Sequence, residues 1–112
     1  MSGINRVILV GHLGKDPIFR HLTNGDAVVS FPLATSENII KAGQLVEHTE
    51  WHNIIMWKDL AETAVKLLKK NSLIYIDGKL TTRSFIDSAG IKKYSTEVIV
   101  SFFRLLSTTQ VT

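Results

Sequence analysis

The stretch WHNIIMWKDLAETAVKLLKKNSLIYIDGKL, residues 51–80, predicts one helix between two strands. Its apolar side chains recur at helical spacing and form one face, namely Leu60, Ala61, Ala64, Leu67 and Leu68. Asp59, followed three residues later by Glu62, predicts a capping box with Asp59 at the N-cap. Lys69–Lys70 would lie in the last turn, where cations suit the helix dipole, and Asn71 suits a left-handed closing position.

Strand patterns lie on both sides of this helix. Before it they cover Arg6–Leu13, a hairpin of Ile18–Leu22 and Ala27–Thr35 around the turn Asn24-Gly25-Asp26, and then Glu50–Trp57. After it they cover Leu73–Phe85 and Tyr94–Leu105, while Asn38–Gln44 is predicted to be a polar loop. With the hairpin counted as one strand, the order is three strands, one helix and two strands.

This order of elements limits the fold. A parallel α/β sheet needs strands that alternate with helices, and this chain lacks that alternation. The OB barrel has five strands and places its helix between strands three and four, so we predict an all-β, five-stranded OB-fold barrel. An α+β sandwich is the alternative. With 112 residues, 45% of them apolar, we treat residues 1–112 as one domain.

Bulk composition excludes several classes of site. The chain has no cysteine, which excludes disulfides, thiolate metal sites and cysteine nucleophiles. No apolar run approaches the roughly 20 residues of a membrane helix. The first residues lack the order of a secretory signal, so we expect a soluble, cytoplasmic protein with no membrane partner. A net charge of +3 does not by itself diagnose a nucleic-acid binder, so the positions of the charges matter.

The two tryptophans lie in the strand before the helix. Side chains alternate between the faces of a strand, so Trp51 and Trp57 share one row with Asn53 and Ile55. The opposite row holds His52, Ile54 and Met56. If Ile54 and Met56 complete the core, the tryptophans stand outside it, roughly 20 Å apart at about 3.3 Å per residue. Tryptophans in strands are more often core residues, so alternation alone leaves both readings open.

The strand after the helix gives a clearer pattern. One row, Ile74, Ile76, Gly78 and Leu80, is predicted to be core. The other row is interrupted by charges and reads Tyr75, Asp77, Lys79, Thr81, Arg83 and Phe85. Phe85 is therefore expected on a solvated face with Lys79 and Arg83. Aromatic rings among cations are typical of single-strand binding, because bases stack on the rings while the cations follow the phosphates.

Catalytic and metal-binding patterns are weak. His48 and His52 have the spacing of a helical metal site, but in a strand they would lie about 13 Å apart and could not share an ion. Gly11–Lys15 has the wrong glycine spacing for a phosphate loop, and its glycines instead indicate a tight bend or bulge. The aspartates are scattered over turns and strands. We therefore expect no enzyme, no metal and no cofactor.

Five blocks together resemble the bacterial-type single-stranded DNA-binding proteins. They are Asn5–Pro17 (NRVILVGHLGKDP), Leu33–Glu37 (LATSE), Thr49–His52 (TEWH), Tyr75–Arg83 (YIDGKLTTR) and Tyr94–Val98 (YSTEV). The blocks follow the family's order and span nearly the whole chain. The resemblance implies an OB fold, a homotetramer and single-stranded DNA wrapped over its outside. It also implies a role in protecting single strands during DNA replication, repair and recombination, in association with the nucleoid.

The resemblance also implies roles for individual residues. It supports Trp51, Trp57 and Phe85 as stacking residues. Arg6, Arg20, Lys70, Arg83 and Lys93 match basic positions on the family's DNA path. Lys79, from the charged row of Phe85, and Lys41, from the loop after Ile39, are also expected to contact DNA. Asn5, His52 and Tyr75 match positions at subunit contacts, and an interface would explain why Val7–Val10 leaves neither face of the first strand polar.

Two departures from the family pattern alter these expectations. Ile39 stands where relatives commonly carry an aromatic residue, so we expect lighter contact with DNA there. The family usually continues into a flexible tail with an acidic tip that recruits replication and repair enzymes, but this sequence stops at Gln110-Val111-Thr112 without one. Such partners are expected only if a tail exists. The alternative function is that of a primosome-type accessory protein, which uses a similar barrel mainly for protein contacts.

Overall fold

A computed structural model describes residues 2–107 of the chain. In this part the elements are β1 (Val7–Leu13), β2 (Ile18–His21), β3 (Ala27–Lys41), β4 (Gln44–Trp57), α1 (Asp59–Leu67), β5 (Leu73–Ile86) and β6 (Lys92–Ser107). The structure is therefore mostly β with one helix between β4 and β5. The predicted lack of an acidic tail concerns residues 110–112, which lie outside the described residues.

The six strands form one sheet in the order β1-β5-β6-β4-β3-β2, and β1 also pairs with β3. Neighbours pair antiparallel except β4 and β6, which pair in parallel at Ile54 and Ile55. Strand β1 runs beside β5 over Val7–His12 and reaches β3 at His12 and Leu13. Gly11 lies at this junction, and a Cβ there would come 2.2 Å from the Ala34 carbonyl oxygen. The glycine therefore permits the close approach of β1 to β3 at the place where the sequence indicated a tight bend.

The core lies between the sheet and α1. The inward rows of β3, β4 and β5 are buried, and Ile74 and Ile76 lie in the core as the sequence predicted. The buried cluster includes Phe31, Leu33, Ile54, Met56, Ile74 and Ile76. Ala61 and Ala64 of α1 pack into the same cluster. The prediction that Leu80 is core was wrong. Leu80 is exposed because, beyond Gly78, β5 leaves the core and continues into a two-stranded arm with β6.

The ends of α1 differ from the prediction. Lys58, not Asp59, is the N-cap, with a positive φ of 57° and no side-chain capping bond. The Lys58 amide donates to the Ala27 carbonyl at 2.8 Å, so the pairing of β4 with β3 continues up to the cap. The helix ends at Leu67, which leaves Lys69–Lys70 beyond it, where the Lys70 amide donates to the Asp16 carboxylate at 2.8 Å. Asn71 does adopt a left-handed φ of 75°. Within residues 2–107, no helix has the length and apolarity to cross a membrane.

The polar loop predicted at Asn38–Gln44 is instead the end of a hairpin. Strand β3 continues to Lys41, β4 begins at Gln44, and the two pair directly. Ala42 and Gly43 form the turn with φ of 53° and 79°, the positive values that a two-residue type I′ turn requires. The sequence signal was weak because Ala-Gly replaces the usual Asn-Gly, and because residues 37–48 are exposed on both faces and show no alternation.

The chain thus has two protruding ribbons. We call residues 36–49 the β3–β4 arm and residues 81–97 the β5–β6 arm.

Candidate nucleic-acid interface

The outward row of β4 carries both tryptophans. Ile54 and Met56 are completely buried on the inward row, while the exposed fractions of Trp51 and Trp57 are 61% and 37%. The question that alternation left open is therefore answered: both indoles lie outside the core. Trp51 packs against Gly14, where an added Cβ would fall 2.4 Å from the indole Cζ3 atom. The absence of a side chain at Gly14 thus makes room for the ring.

An open groove of about 430 Å³ runs beside the tryptophan row. Asn53 and Ile55, which lie between the two tryptophans on that row, both line it. The complete lining is Lys15, Ile18, Arg20, Ser30, Phe31, Pro32, Asn53, Ile54, Ile55, Arg83, Ser95 and Glu97. The groove therefore connects β2, β3 and β4 with the base of the β5–β6 arm.

Three cations border this groove. Arg20 and Arg83 were predicted from the sequence, and the structure brings them together from β2 and β5. Lys15 was not predicted. It follows Gly14 in the turn after β1, and only the folded chain shows that this turn lies beside β4. Arg20, Arg83 and Lys15 thus place positive charge along a groove that lies beside the tryptophan row.

Phe85 extends the same surface along the β5–β6 arm. Its exposed fraction is 39%, and the Arg83 Cζ atom lies 5.5 Å from the centre of its ring, within the range of a cation–π contact. Lys93 is the cross-strand partner of Phe85 and points to the same face. The prediction that Phe85 lies on a solvated face with Arg83 is confirmed.

Glu97 holds Arg83 in this position. The Arg83 Nε donates to the Glu97 Oε2 atom at 3.0 Å, and the Ser95 hydroxyl donates to the same oxygen at 3.5 Å. Glu97 is only 8% exposed, so its carboxylate is largely shielded from water at the base of the arm. Sequence reasoning missed it because the role depends on the register of β5 with β6, in which Glu97 lies two residues beyond Ser95, the cross-strand partner of Arg83, and on the same face.

A second open groove of about 410 Å³ contains Arg6 and Lys79. The Arg6 guanidinium donates two hydrogen bonds to Asp77, at 2.7 and 3.2 Å. These hydrogen bonds, together with the charge of the carboxylate, raise the pKa of Arg6. Arg6 is thus already paired, whereas Arg20 has no such carboxylate partner among residues 2–107.

The remaining predicted cations are dispersed. Lys41 stands at the tip of the β3–β4 arm, and Lys70 follows α1. Lys93 lies 3.6 Å from the Asp87 carboxylate in the turn of the β5–β6 arm. The structure therefore unites Arg20 and Arg83 with the tryptophan row and leaves Lys41 at the tip of the β3–β4 arm. Lys70 is held through its backbone amide against Asp16, the residue after Lys15 of the groove.

The residues predicted at subunit contacts have defined partners in the chain. The Asn5 side chain bonds to both backbone groups of Leu80, at 2.8 and 2.9 Å. His52 Nε2 lies 2.9 Å from the Thr35 hydroxyl. Tyr75 meets Phe102 edge to face at 6.2 Å between ring centres.

Around Tyr75 the outward face of β1, β5 and β6 combines exposed apolar side chains with charged ones, since Arg104 is the cross-strand partner of Tyr75 and Asp77 pairs with both Ile8 and Phe102. Ile8, Val10 and Phe102 are all exposed there, with Val10 opposite Tyr75 in the ladder.

The histidines of the β3–β4 side form separate contacts. His48 bonds to Glu50 at 2.6 Å, and this hydrogen bond and the nearby carboxylate charge raise the pKa of His48. His52 bonds to Thr35 instead. Among residues 2–107 no group of three or more side chains is arranged to hold a metal ion.

The sequence and the fold have close counterparts among known proteins. The model of the single-strand binding protein family matches residues 4–106. The chain belongs to this family. As a family member it is 46% identical over 106 residues to "Single-stranded DNA-binding protein 1" of Chlorobaculum tepidum, a match covering 93% of this chain and 65% of that protein. The chain thus spans slightly less than two thirds of that relative's length.

A solved structure shares the fold of this family member. The structure described as "Plasmodium falciparum SSB complex with ssDNA" superposes with a TM-score of 0.84 at 30% sequence identity. The match covers 96% of this chain and 98% of the other. The likeness therefore extends over nearly the whole of both chains.

Proposed function

We propose that this chain binds single-stranded DNA with little sequence preference and protects it during replication, repair and recombination. The observation that carries the proposal is the position of Trp51 and Trp57, exposed on one row of β4 beside a groove bordered by cations. Family membership and the likeness to a single-stranded DNA complex support it. Residues 1–112 would form one binding domain, without catalysis and without a cofactor.

The mechanism rests on stacking and charge. Unpaired bases would stack on Trp51, Trp57 and Phe85, and each base–aromatic stack contributes about 1–3 kcal/mol. Every base has a π-face, so such stacking hardly discriminates between sequences. Arg20, Arg83 and Lys15 would meet the phosphates. Duplex DNA would bind poorly, because its bases are already stacked on one another.

We infer that the ring of pairings closes into the five-stranded OB barrel that the element order predicted. Strands β1, β5, β6, β4 and β3 are linked in turn, and β3 pairs back to β1, while the short β2 adds only to β3. In an OB barrel one outer face is available to nucleic acid. The tryptophan row of β4 and the groove beside it would lie on that face.

We also infer that the chain assembles as a homotetramer. The support is the exposed apolar surface of Ile8, Val10 and Phe102 around Tyr75, on a different part of the sheet from the tryptophan row. Large apolar patches on otherwise polar surfaces commonly mark protein interfaces. Asn5 and His52 would contribute to subunit contacts in the assembly.

Quenching of tryptophan fluorescence tests the proposal. Titration with oligo-dT at low salt is expected to quench the emission of Trp51 and Trp57, since both indoles would stack on bases. A duplex of the same length should bind much more weakly. Affinity for oligo-dT should fall as salt rises, through counterion release. Absence of quenching at low salt, or equal affinity for the duplex, would contradict the proposal.

A further inference from the structure

The β5–β6 arm has two faces of different composition. Cross-strand partners share a face, so Thr81, Arg83, Phe85, Lys93, Ser95 and Glu97 form the outer face described above. Thr82, Ser84, Ile86, Lys92, Tyr94 and Thr96 form the reverse face. A hydroxyl–hydroxyl contact of 3.3 Å between Thr82 and Thr96 agrees with this assignment.

The reverse face repeats the chemistry of the outer face. Tyr94 is 68% exposed, and the Lys92 ammonium lies 5.7 Å from the centre of its ring. On the outer face Arg83 lies 5.5 Å from the Phe85 ring. Each face of the arm thus carries one exposed aromatic ring with one cation beside it.

The two rings lie on adjacent steps of the ladder. Phe85 pairs with Lys93, and the neighbouring step pairs Ser84 with Tyr94. A strand of nucleic acid that leaves the Phe85 ring needs only to pass around the narrow arm to reach Tyr94.

Charge on the reverse face also suits a polyanion. None of its six residues is acidic, and Lys92 forms no ion pair with a carboxylate in residues 2–107. On the outer face, by contrast, Arg83 and Lys93 are both paired with carboxylates. Lys92 is therefore the least compensated cation of the arm.

We propose that the reverse face of the β5–β6 arm is a second stacking surface for single-stranded DNA, on which Tyr94 stacks a base and Lys92 meets a phosphate. The inference rests on the proposed function, because the strand must first occupy the outer face. The single-stranded DNA would then pass around the β5–β6 arm and contact both of its faces.

Replacement of Tyr94 tests this surface. Tyr94→Ala should weaken binding of long oligo-dT about 5- to 150-fold, which corresponds to the loss of one base–aromatic stack. Tyr94→Phe keeps the ring and should bind as the wild type does. Ile86→Ala removes an exposed apolar side chain from the same face without removing a ring, and it should leave affinity nearly unchanged. Thermal melting of each variant checks that the fold is retained.

A crosslinking experiment tests whether Tyr94 contacts a base directly, which a purely structural role of Tyr94 would not produce. On irradiation, oligo-dT that contains 5-iododeoxyuridine forms covalent adducts with aromatic side chains in contact with the modified base. Mass spectrometry of the digested protein then identifies the residue that carries the adduct. Adducts are expected on Tyr94 as well as on Phe85.

Three results separate the possible failures. If the wild type binds and Phe85→Ala weakens binding, but Tyr94→Ala binds normally and Tyr94 forms no adduct, the second surface is wrong and the proposed function stands. If Tyr94→Ala lowers the mass of the assembly without changing its affinity, the face is a contact between copies and the inference is overturned. If the wild type does not bind oligo-dT at all, the proposed function itself fails.

Discussion

The position of the Trp51 indole depends on a residue without a side chain. Gly14 follows β1, and its backbone amide donates to the Pro32 carbonyl at 2.9 Å, which brings it beneath the ring. The sequence predicted the strand and the row on which Trp51 lies, but it could not show that Gly14 is its neighbour. That contact joins residues far apart in the chain, and alternation within one strand contains no information about it.

Gly14→Ala should displace the Trp51 ring without damage to the core. The added Cβ would fall 2.4 Å from Cζ3, and the exposed indole can swing away more easily than the backbone can move. We expect weaker oligo-dT binding, by up to the 5- to 150-fold or so of a lost stack, with little change in melting temperature. Gly3→Ala, where nothing lies within 4 Å, is the matched control. Unchanged affinity in Gly14→Ala would show that this ring position is not needed.

The His48–Glu50 contact gives a prediction about pH. The folded-state pKa of His48 is raised above its ordinary value of 6.5, so the contact stabilises the β3–β4 arm fully at pH values below 6.5. This stabilisation is lost as the pH rises through the raised folded-state pKa. An NMR titration should give a pKa above 6.5 for His48, and Glu50→Gln should lower it. The same titration curve in both proteins would rule out the contact in solution.

At the scale of elements, the sequence predicted strands and the helix wherever one face is buried. Ile54, Met56, Ile74 and Ile76 are fully buried and alternate with less buried neighbours, and burial enforces that alternation. Prediction failed at the β3–β4 arm, whereas the similarly exposed β5–β6 arm was predicted as strand up to Phe85 and from Tyr94. The β3–β4 arm is exposed on both faces, so backbone pairing and the Ala42-Gly43 turn define it rather than any apolar pattern.

A substitution in the turn of the β3–β4 arm should stabilise that arm. Ala42 has a positive φ of 53°, which is unfavourable for alanine and readily adopted by asparagine. Ala42→Asn should stabilise the arm by about 0.5–1 kcal/mol, an order set by the cost of the left-handed conformation. Amide hydrogen exchange of residues 37–48 should slow, while Ala42→Val should accelerate it. Faster exchange in Ala42→Asn would contradict the turn assignment.

At the scale of the whole molecule, two surfaces of the sheet have different compositions. The β4 side combines aromatic rings with cations beside a groove, whereas the β1–β5–β6 side around Tyr75 exposes the apolar side chains of Ile8, Val10 and Phe102. The sequence indicated the second surface through Val7–Val10, where neither face of the strand is polar. The alternation of apolar and polar residues cannot show whether this face is covered by the same chain or by another one. Residues of a core and residues of a subunit interface give the same apolar pattern in the sequence.

Ile8→Glu tests assembly through the apolar side. Ile8 is exposed, so a carboxylate there should not disturb the core. It would stand opposite Asp77, and the two negative charges should oppose burial against another chain. Light scattering should give the wild type a mass four times that of the 12.5 kDa chain, and Ile8→Glu a smaller one. Ile40→Glu, at an exposed site on the β3–β4 arm, should leave the mass unchanged. A wild type that is monomeric at micromolar concentration would contradict the tetramer.

The most direct test of the account is the salt dependence of oligo-dT affinity in Trp51→Ala beside that in Arg83→Ala. If bases stack on Trp51 while cations meet phosphates, Trp51→Ala should lower affinity about 5- to 150-fold at every salt concentration. The slope of log affinity against log salt concentration should stay that of the wild type. Arg83→Ala should make the slope shallower. Wild-type affinity in Trp51→Ala would contradict the central claim that the exposed tryptophan row of β4 binds single-stranded DNA.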